Sequence, residues 1–204
     1  MKANLILNGN IDLPLIKTAL NNATDIYAAD GAFDKIVSLN LPIKAILGDL
    51  DSLKEKPNNI EIIELLDQNF TDFEKSLKYL QTHYQEIDVY GASGREQDHF
   101  CGNLHVAKKH ILNSKITFFD EHQYYFLINS SATLNVPINS MISIVPFPTL
   151  ENITTRGLQY PLNNENLALG NRIGTRNVAT ENVVTIEFQQ GTAIIFVSNT
   201  LFKL

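Results

Sequence analysis

The sequence predicts an α/β N-terminal domain with a mostly parallel sheet, followed by an all-β, sandwich-like C-terminal domain. Up to about residue 120, short apolar runs alternate with segments of helical periodicity, which is typical of a parallel sheet covered by helices. Beyond about residue 125, apolar and polar residues alternate, and Gly, Asn and Pro separate the runs, which indicates antiparallel strands. We therefore expect two domains, residues 1–124 and 125–204.

The N-terminal half contains five predicted strands and four predicted helices. The strands are expected at residues 5–7, 26–29, 45–47, 87–90 and 116–119, and the helices at residues 13–21, 33–39, 73–84 and 100–112. Ligands of such sheets collect at the carboxyl ends of the strands. Acidic residues occupy these positions: Asp30 closes the second strand, Asp49 and Asp51 follow the third, and Asp98 follows the fourth.

The C-terminal half shows strand periodicity without a convincing helix. Alternating patterns predict strands at residues 131–136, 141–145, 183–188 and 192–197. The junction at residues 121–130 has no low-complexity linker, and there is no internal repeat. We therefore expect the two domains to pack together.

Composition limits the function classes. The 204 residues are 44% hydrophobic and 19% charged, as in an ordinary globular protein. A formal net charge of -6 argues against a general nucleic-acid surface. The single cysteine, Cys101, cannot form an internal disulfide. The N-terminal apolar run is too short for a signal peptide, and no run is long enough to cross a bilayer. We expect a cytoplasmic protein that binds neither nucleic acid nor membrane.

The segment Gly48-Asp49-Leu50-Asp51-Ser52 carries the strongest chemical signal. Two carboxylates that lie two residues apart after a buried strand repel each other unless a cation or a proton holds them together. Such a pair suits Mg²⁺, which prefers a few carboxylates plus substrate phosphates. The alternative is a solvated turn, because Gly, Asp and Ser are turn formers.

The start of the third predicted helix carries a second group of polar residues. Thr71-Asp72-Phe73-Glu74 has the form of a capping box, and Asp72 complements the helix dipole. Lys75 opposes that dipole, so its position requires a reason. A phosphate bound near the helix N-terminus would provide one, and a solvent-facing lysine is the alternative.

The loop Gly91-Ala92-Ser93-Gly94 lies between a predicted strand and a predicted helix. Small residues allow backbone N–H groups to approach phosphate oxygens, although a plain turn explains the segment equally well. It matches neither a Walker A loop nor a dinucleotide fingerprint. Arg95, Asp98 and His99 add charge to the helix entry, where His99 is either a base or a capping residue.

Taken together, these segments resemble the thiamine pyrophosphokinase (thiamine diphosphokinase) family over nearly the whole chain. The matching segments are Ala29-Asp30-Gly31-Ala32, residues 48–52, Asp67-Gln68, residues 71–75, residues 91–94, Asp98-His99, Gly102-Asn103, Gly157-Leu158-Gln159-Tyr160-Pro161-Leu162 and Gly174-Thr175-Arg176-Asn177. The ordered acidic motifs are specific, whereas each C-terminal segment alone is weak.

The resemblance implies an enzyme. It implies Mg²⁺-dependent transfer of a diphosphoryl group from ATP to the hydroxyl of thiamine, giving thiamine diphosphate and AMP. It also implies an α/β nucleotide- and Mg²⁺-binding domain, a β-sandwich domain for thiamine binding and dimerisation, and a homodimer with thiamine near the subunit interface.

The resemblance also implies roles for individual residues. Those implied for catalysis are Asp30, Asp49, Asp51 and Asp72, of which Asp49, Asp51 and Asp72 would hold the metal. Those implied for the nucleotide are Gln68, Thr71, Lys75, Arg95 and Asp98, and those for thiamine are Tyr160, Thr175 and Asn177. Either Asp30 or Asp72 would accept the proton of the alcohol, and the sequence does not choose between them. Tyr160 would stack on thiamine, with ordinary strand packing as the alternative.

Two positions depart from the family pattern. Relatives commonly carry an arginine where this chain has Glu96, and here the arginine is Arg95. A serine common on the thiamine side is replaced by Arg176. Two alternative functions stay open at this point: another Mg²⁺-dependent phosphotransferase or phosphohydrolase, and a noncatalytic thiamine- or nucleotide-binding module.

Overall fold

The computed structural model describes residues 1–201, with side chains described through Asn199. The chain divides into two compact units, Met1–Glu121 and a second unit that begins at His122. The predicted boundary after residue 124 lies inside the first strand of the second unit. None of the helices in the described part has the length and apolar character that crossing a membrane requires.

The first unit is built on a six-stranded parallel sheet. In chain order its elements are β1 (Lys2–Ile6), α1 (Leu13–Leu20), β2 (Ile26–Ala29), α2 (Asp30–Ile36), a 3-10 turn (Val37–Leu39), β3 (Ile43–Gly48), β4 (Glu61–Glu64), α3 (Asp72–Gln81), β5 (Glu86–Tyr90), α4 (Gln97–Lys109) and β6 (Lys115–Phe119). The strand order is β4-β3-β2-β1-β5-β6. Because every pair is parallel, the carboxyl ends of all six strands lie at one edge.

Local sequence explains where two of these helices begin. Asp12 caps α1, since its Oδ1 accepts a hydrogen bond of 2.9 Å from the Leu15 amide. Thr71 caps α3, since its hydroxyl accepts a bond of 3.2 Å from the Glu74 amide. The apolar face of α3 buries Phe73, Leu77 and Leu80, as its periodicity predicts.

The second unit consists of antiparallel strands. They are β7 (Gln123–Ile128), β8 (Ala132–Asn135), β9 (Ser140–Arg156), β10 (Glu165–Ala168), β11 (Gly174–Val178), β12 (Val183–Glu187) and β13 (Gln190–Leu201). The long strand β9 pairs with β10, β11, β12 and β13, and the chain of pairs continues from β12 to β8 and from β13 to β7. A separate apolar core lies in this unit and includes Ile142, Leu150, Ile153, Val184 and Ile195.

The predicted α/β half and all-β half are confirmed at this level. Five predicted parallel strands and four predicted helices are present, with ends displaced by a few residues. Four strands were not predicted: β4, β7, β10 and β11. β4 escapes detection because it is an edge strand with a glutamate at each end and incomplete burial. The predicted strand at residues 141–145 covers less than a third of the 17-residue β9.

Candidate active site

A cavity of about 630 Å³ lies at the carboxyl edge of the parallel sheet. Its wall combines the loops after β1, β3, β4 and β5 with the N-terminal turns of α2, α3 and α4. All nine candidate residues of the first unit line it: Asp30, Asp49, Asp51, Gln68, Thr71, Asp72, Lys75, Arg95 and Asp98. The parallel topology therefore brings together residues that are up to 68 positions apart in the sequence (98 minus 30).

Three carboxylates form the acidic centre of the cavity. Asp30, Asp49 and Asp51 each present an oxygen, and these oxygens all lie within 4.8 Å of one another. Such a set of hard oxygen donors fits a divalent cation of the Mg²⁺ type. Asp72 lies outside this group, with its Oδ1 2.8 Å from Nζ of Lys75. The cluster thus contains two of the three predicted metal ligands, Asp49 and Asp51, together with Asp30, and the assignment of Asp72 to the metal stays a prediction.

Asp30 is the buried member of this group, with 3% of its surface exposed. It is the first residue of α2, and its carboxylate accepts hydrogen bonds from the amides of Gly31 at 2.6 Å and Leu50 at 2.9 Å. Burial raises the pKa of Asp30 above its ordinary value, and the nearby charges of Asp72 and Asp49 add to the increase, while the two backbone bonds oppose it. A bound cation would relieve this cost.

The loop after β3 is shaped to meet Asp30. A Cβ atom at Gly48 would lie 2.5 Å from the Asp30 carboxylate, so no larger residue fits without displacing it. Leu50 has φ of 70°, a left-handed conformation that is costly for a branched apolar side chain. That conformation aims the Leu50 amide at Asp30, and such strain is characteristic of functional loops.

Lys75, in the first turn of α3, contacts Asp49 of the acidic centre. Its side chain is 4% exposed, and its Nζ lies 2.8 Å from Asp72 and 3.4 Å from Asp49. Burial would lower the pKa of Lys75, but the hydrogen bonds and charges of Asp72 and Asp49 outweigh that effect and raise the pKa. The solvent-facing alternative for Lys75 is therefore wrong. Two carboxylates explain why a cation is tolerated in the first turn of this helix.

Gln68 holds the other side of Asp49. Its Nε2 donates a hydrogen bond of 2.9 Å to Oδ2 of Asp49, the oxygen that also faces Lys75. The pKa of Asp49 is lowered, chiefly by this bond and further by the charge of Lys75. The pKa of Asp49 is thus shifted downward, whereas that of Asp30 is shifted upward. Asp30 and Asp49 are therefore electrostatically inequivalent.

The predicted capping box is only half formed. Thr71 caps the helix, but the Glu74 side chain turns away, accepts a 2.6 Å bond from Lys109 and lies 3.3 Å from Nε2 of His110. Glu74 is buried, and its contacts with Lys109 and His110 take the place of a return contact to the Thr71 amide. The capping-box role of Glu74 is therefore wrong, and the residue instead links the two helices.

The loop at residues 91–94 packs against the loop after β1. The amide of Gly9 donates to the carbonyl of Gly91, and the amide of Asn10 donates to the carbonyl of Ser93, both at 2.7 Å. A Cβ atom at Gly9 would lie 2.2 Å from the Gly91 oxygen. Asn8 and Gly9 also line the cavity, and neither is among the predicted site residues. The Asn8-Gly9-Asn10 segment after the first strand is a turn signal that could have identified them.

The residues at the entry of α4 are exposed and line the cavity. Arg95 donates a hydrogen bond of 3.2 Å to the carbonyl oxygen of Asn8. Glu96, at the position where the family resemblance implies an arginine, is the N-cap residue of α4 and lies 3.7 Å from His99. Asp98 accepts a bond from the His99 amide at 2.9 Å.

The thiamine-side candidates lie in the second unit. Asn177 uses both ends of its amide on Tyr160: Oδ1 accepts from the Tyr160 amide at 3.0 Å, and Nδ2 donates to the Tyr160 carbonyl at 2.7 Å. The Tyr160 side chain is 65% exposed, so ordinary strand packing does not explain it. Thr175 is exposed on β11, and Arg176, with φ of 58°, stands at a bulge between it and Asn177.

These features define a class: an α/β protein with a clustered acidic centre, a buried lysine and a small-residue loop at the carboxyl edge of a parallel sheet. Two family models match the chain in succession. "Thiamin pyrophosphokinase, catalytic domain" matches residues 16–119, and "Thiamin pyrophosphokinase, vitamin B1 binding domain" matches residues 130–193. The chain belongs to the thiamin pyrophosphokinase family.

Individual relatives agree with this membership. The chain is 28% identical over 167 residues to a thiamine pyrophosphokinase of Bacillus subtilis, covering 76% of this chain and 78% of the relative. It is 28% identical over 162 residues to thiamine pyrophosphokinase 2 of Arabidopsis thaliana, covering 70% of this chain and spanning 60% of that relative's length. The fold is similar to the crystal structure of the Bacillus subtilis thiamine pyrophosphokinase, with a TM-score of 0.86, 21% identity, and coverage of 98% and 100% of the two chains.

Proposed function

We propose that the protein transfers a diphosphoryl group from ATP to the hydroxyl of thiamine, giving thiamine diphosphate and AMP. The observation that carries the proposal is the cavity at the sheet edge, which gathers Asp30, Asp49, Asp51 and Lys75 in a chain whose two halves match the two domain models of one family. Positioning and electrostatic stabilisation dominate phosphoryl-type transfer, and this cavity is suited to both.

The acidic centre is proposed to hold Mg²⁺. Asp30, Asp49 and Asp51 are the residues whose oxygens are close enough to share one cation, and carboxylates are the donors that Mg²⁺ prefers. When bound, the ion would neutralise phosphate charge and orient the diphosphoryl group. Gln68 and Lys75 would keep Asp49 ionised and fixed in orientation.

Asp72 is proposed to orient the alcohol of thiamine and accept its proton. It lines the cavity and lies outside the group of three acids, with 55% of its side chain exposed. Its contact with Lys75 fixes its position beside the acidic centre. Asp30, the other candidate, is buried and accepts two backbone hydrogen bonds, which suits a metal ligand better than a group that meets an incoming alcohol.

The remaining roles are assigned by chemistry and by family position. Thr71, Arg95 and Asp98 would contact the nucleotide from the N-terminal turns of α3 and α4. The second unit would bind thiamine through Tyr160, Thr175 and Asn177 and would supply the dimer contact. A cytoplasmic homodimer that binds neither nucleic acid nor membrane stays the expected form.

One assay separates this function from its alternatives. The protein is incubated with ATP, Mg²⁺ and thiamine, and nucleotides and thiamine esters are separated by chromatography. AMP and thiamine diphosphate in equal amounts support the proposal. ADP with thiamine monophosphate indicates a single-phosphoryl transferase, phosphate release without thiamine indicates a phosphohydrolase, and no turnover despite binding indicates a noncatalytic module.

A further inference from the structure

Two cations converge on one backbone carbonyl at the cavity. Nζ of Lys35, in the last turn of α2, donates to the carbonyl oxygen of Asn8 at 3.0 Å. Nη1 of Arg95, just before α4, donates to the same oxygen at 3.2 Å. The Lys35 ammonium also lies 3.5 Å from the carbonyl oxygen of Gly9. The ammonium and the guanidinium are therefore neighbours, although 60 positions separate them in the sequence (95 minus 35).

The segments around this pair pack closely on the loop after β1. A Cβ atom at Gly31 would lie 2.5 Å from the side-chain nitrogen Nδ2 of Asn8, so the start of α2 abuts the loop after β1. A Cβ atom at Gly94 would lie 2.5 Å from Cβ of Asn10, so the segment before Arg95 abuts the same loop. The segments that carry the two cations therefore both lie in close contact with the loop after β1.

The pair has no counter-ion among the described residues. Within the part of the chain that the structure describes, no carboxylate lies within 4 Å of Lys35 or Arg95, and the neighbouring Glu96 is instead 3.7 Å from His99. Burial lowers the pKa of Lys35, and the charge of Arg95 lowers it further. Two like charges that share one neutral acceptor are an unfavourable arrangement, which an anion between them would relieve.

We propose that Lys35 and Arg95 together form an anion site for a phosphate group of the nucleotide, with Lys35 as a binding residue that the sequence analysis did not assign. The inference rests on the proposed function for the identity of the anion. Lys75 already faces two carboxylates, so its charge is compensated within the protein. Lys35 and Arg95 are cations that remain available to phosphate charge, and Asn8, Gly9 and Arg95 line the cavity that contains the acidic centre.

The site also accounts for the displaced arginine. With Glu96 at the usual arginine position, the chain keeps one guanidinium at Arg95 and adds the Lys35 ammonium beside it. Arginine and lysine complement each other here, since a planar fork binds two phosphate oxygens and an ammonium acts as a point charge.

The test compares binding of ATP and of adenosine in the presence of Mg²⁺ and without thiamine, by isothermal titration calorimetry. Lys35→Met removes the charge at similar length, and Lys35→Arg retains it. Lys17→Met is the matched control, because Lys17 is also an exposed lysine in the last turn of a helix on the same unit. We expect Lys35→Met to weaken ATP binding at least about tenfold, as charge-assisted contacts predict, with adenosine binding unchanged. Lys35→Arg and Lys17→Met should bind ATP as the wild type does.

Three outcomes would overturn the anion site. They are ATP binding by Lys35→Met equal to that of the wild type, equal weakening of ATP and adenosine, and failure of Lys35→Arg to retain ATP binding. The proposed function is tested separately by AMP formation in the wild-type protein. If the wild type forms no AMP but Lys35→Met still loses ATP binding selectively, the anion site stands and the proposed reaction is wrong.

Discussion

The backbone amide of Leu50 donates a 2.9 Å hydrogen bond to Oδ2 of Asp30, and this bond joins the loop after β3 to the first residue of α2. Gly48 makes the contact possible, because any side chain at that position would meet the Asp30 carboxylate. The geometry of the acidic centre thus depends on a residue that carries no chemistry of its own.

Gly48→Ala should lower activity about 100-fold, because the added methyl group must displace Asp30 and small displacements at a reacting centre have effects of this size. The free energy of unfolding should fall as well. In an Asp30→Ala background the added methyl group has no carboxylate to meet, so the same substitution should cost markedly less stability. Urea titration of the single and double variants measures this coupling, and strictly additive effects would mean that Gly48 and Asp30 are independent.

The division of roles between the metal ligands and Asp72 gives a second prediction. Asp51→Asn should raise the Mg²⁺ concentration for half-maximal activity at least about tenfold, equivalent to about 1.4 kcal/mol. Asp72→Asn should instead lower kcat at saturating Mg²⁺ by about 10²- to 10⁴-fold, the usual contribution of a general base.

Glu55→Gln serves as the control for both variants, because it removes one exposed negative charge from the loop that follows the acidic cluster. Steady-state assays over a range of Mg²⁺ concentrations separate the two effects. A raised Mg²⁺ requirement in Asp72→Asn, with normal kcat at saturation, would return Asp72 to the metal site as the family resemblance first implied.

Much of this site was predictable from sequence because its residues stand at fixed positions relative to strand ends. Asp49 and Asp51 follow a buried strand, and a parallel sheet necessarily brings them to the edge where Asp30 lies. The burial of individual side chains was less predictable. Lys75 is enclosed because Asp49, 26 positions away, comes to meet it, and no local pattern contains that contact.

Contacts between loops could not be predicted from sequence periodicity, for the same reason. Arg95 meets Asn8 across 87 positions because β5 pairs with β1, and the strand order is a property of the whole sheet. The sequence pattern also predicted too short a strand for β9. Its apolar alternation breaks around Pro146 and Pro148, while partners on both sides keep the strand continuous.

The enclosed position of Lys75 leads to a third prediction. Lys75→Met should lower stability in metal-free protein by about 1–2 kcal/mol, less than for a fully buried pair because Asp72 is half-exposed. The variant leaves Asp49 and Asp72 without their cation, so added Mg²⁺ should stabilise it more than it stabilises the wild type. Thermal melts with EDTA and with Mg²⁺ measure both effects. A metal-free variant as stable as the wild type would show that Lys75 contributes nothing to folding.

The lowered pKa of Glu74 leads to a prediction of how protein stability depends on pH. Burial alone would raise its pKa, but hydrogen bonds from Lys109 and His110 outweigh burial, and the pKa lies below the ordinary value of 4.5. A carboxyl group with a lowered pKa in the folded state stabilises the protein above its unfolded pKa and loses that contribution as the pH falls through the folded value. Part of the stability present at pH 7 should therefore disappear below about pH 4.5.

Glu74→Gln should cost about 1.5 kcal/mol at pH 7, near the low end for hydrogen bonds to charged groups because Lys109 is half-exposed. It should also flatten the acid side of the stability profile. Glu61→Gln, an exposed glutamate of β4, is the control. Urea midpoints between pH 3.5 and pH 7 provide the comparison, and parallel profiles for wild type and Glu74→Gln would exclude this origin of acid sensitivity.

The bond pattern between Asn177 and Tyr160 leads to the last prediction. Asn177 presents an acceptor to the Tyr160 amide and a donor to the Tyr160 carbonyl, so its side chain fixes the backbone that carries an exposed aromatic ring. If that ring stacks on the cationic thiamine, Tyr160→Ala should raise the KM for thiamine about tenfold while leaving the KM for ATP within about twofold. Tyr160→Phe should retain most of the thiamine affinity, because it keeps the aromatic face.

Asn177→Asp separates positioning from direct contact. The substitution keeps the acceptor for the Tyr160 amide but replaces the donor to its carbonyl with a second oxygen, so the two oxygens repel and the Tyr160 backbone is released. We expect a thiamine KM raised about as far as in Tyr160→Ala, and no further increase when both substitutions are combined. Additive losses would mean that Asn177 contacts thiamine independently of Tyr160, and unchanged thiamine KM in both single variants would place the thiamine pocket elsewhere on the chain.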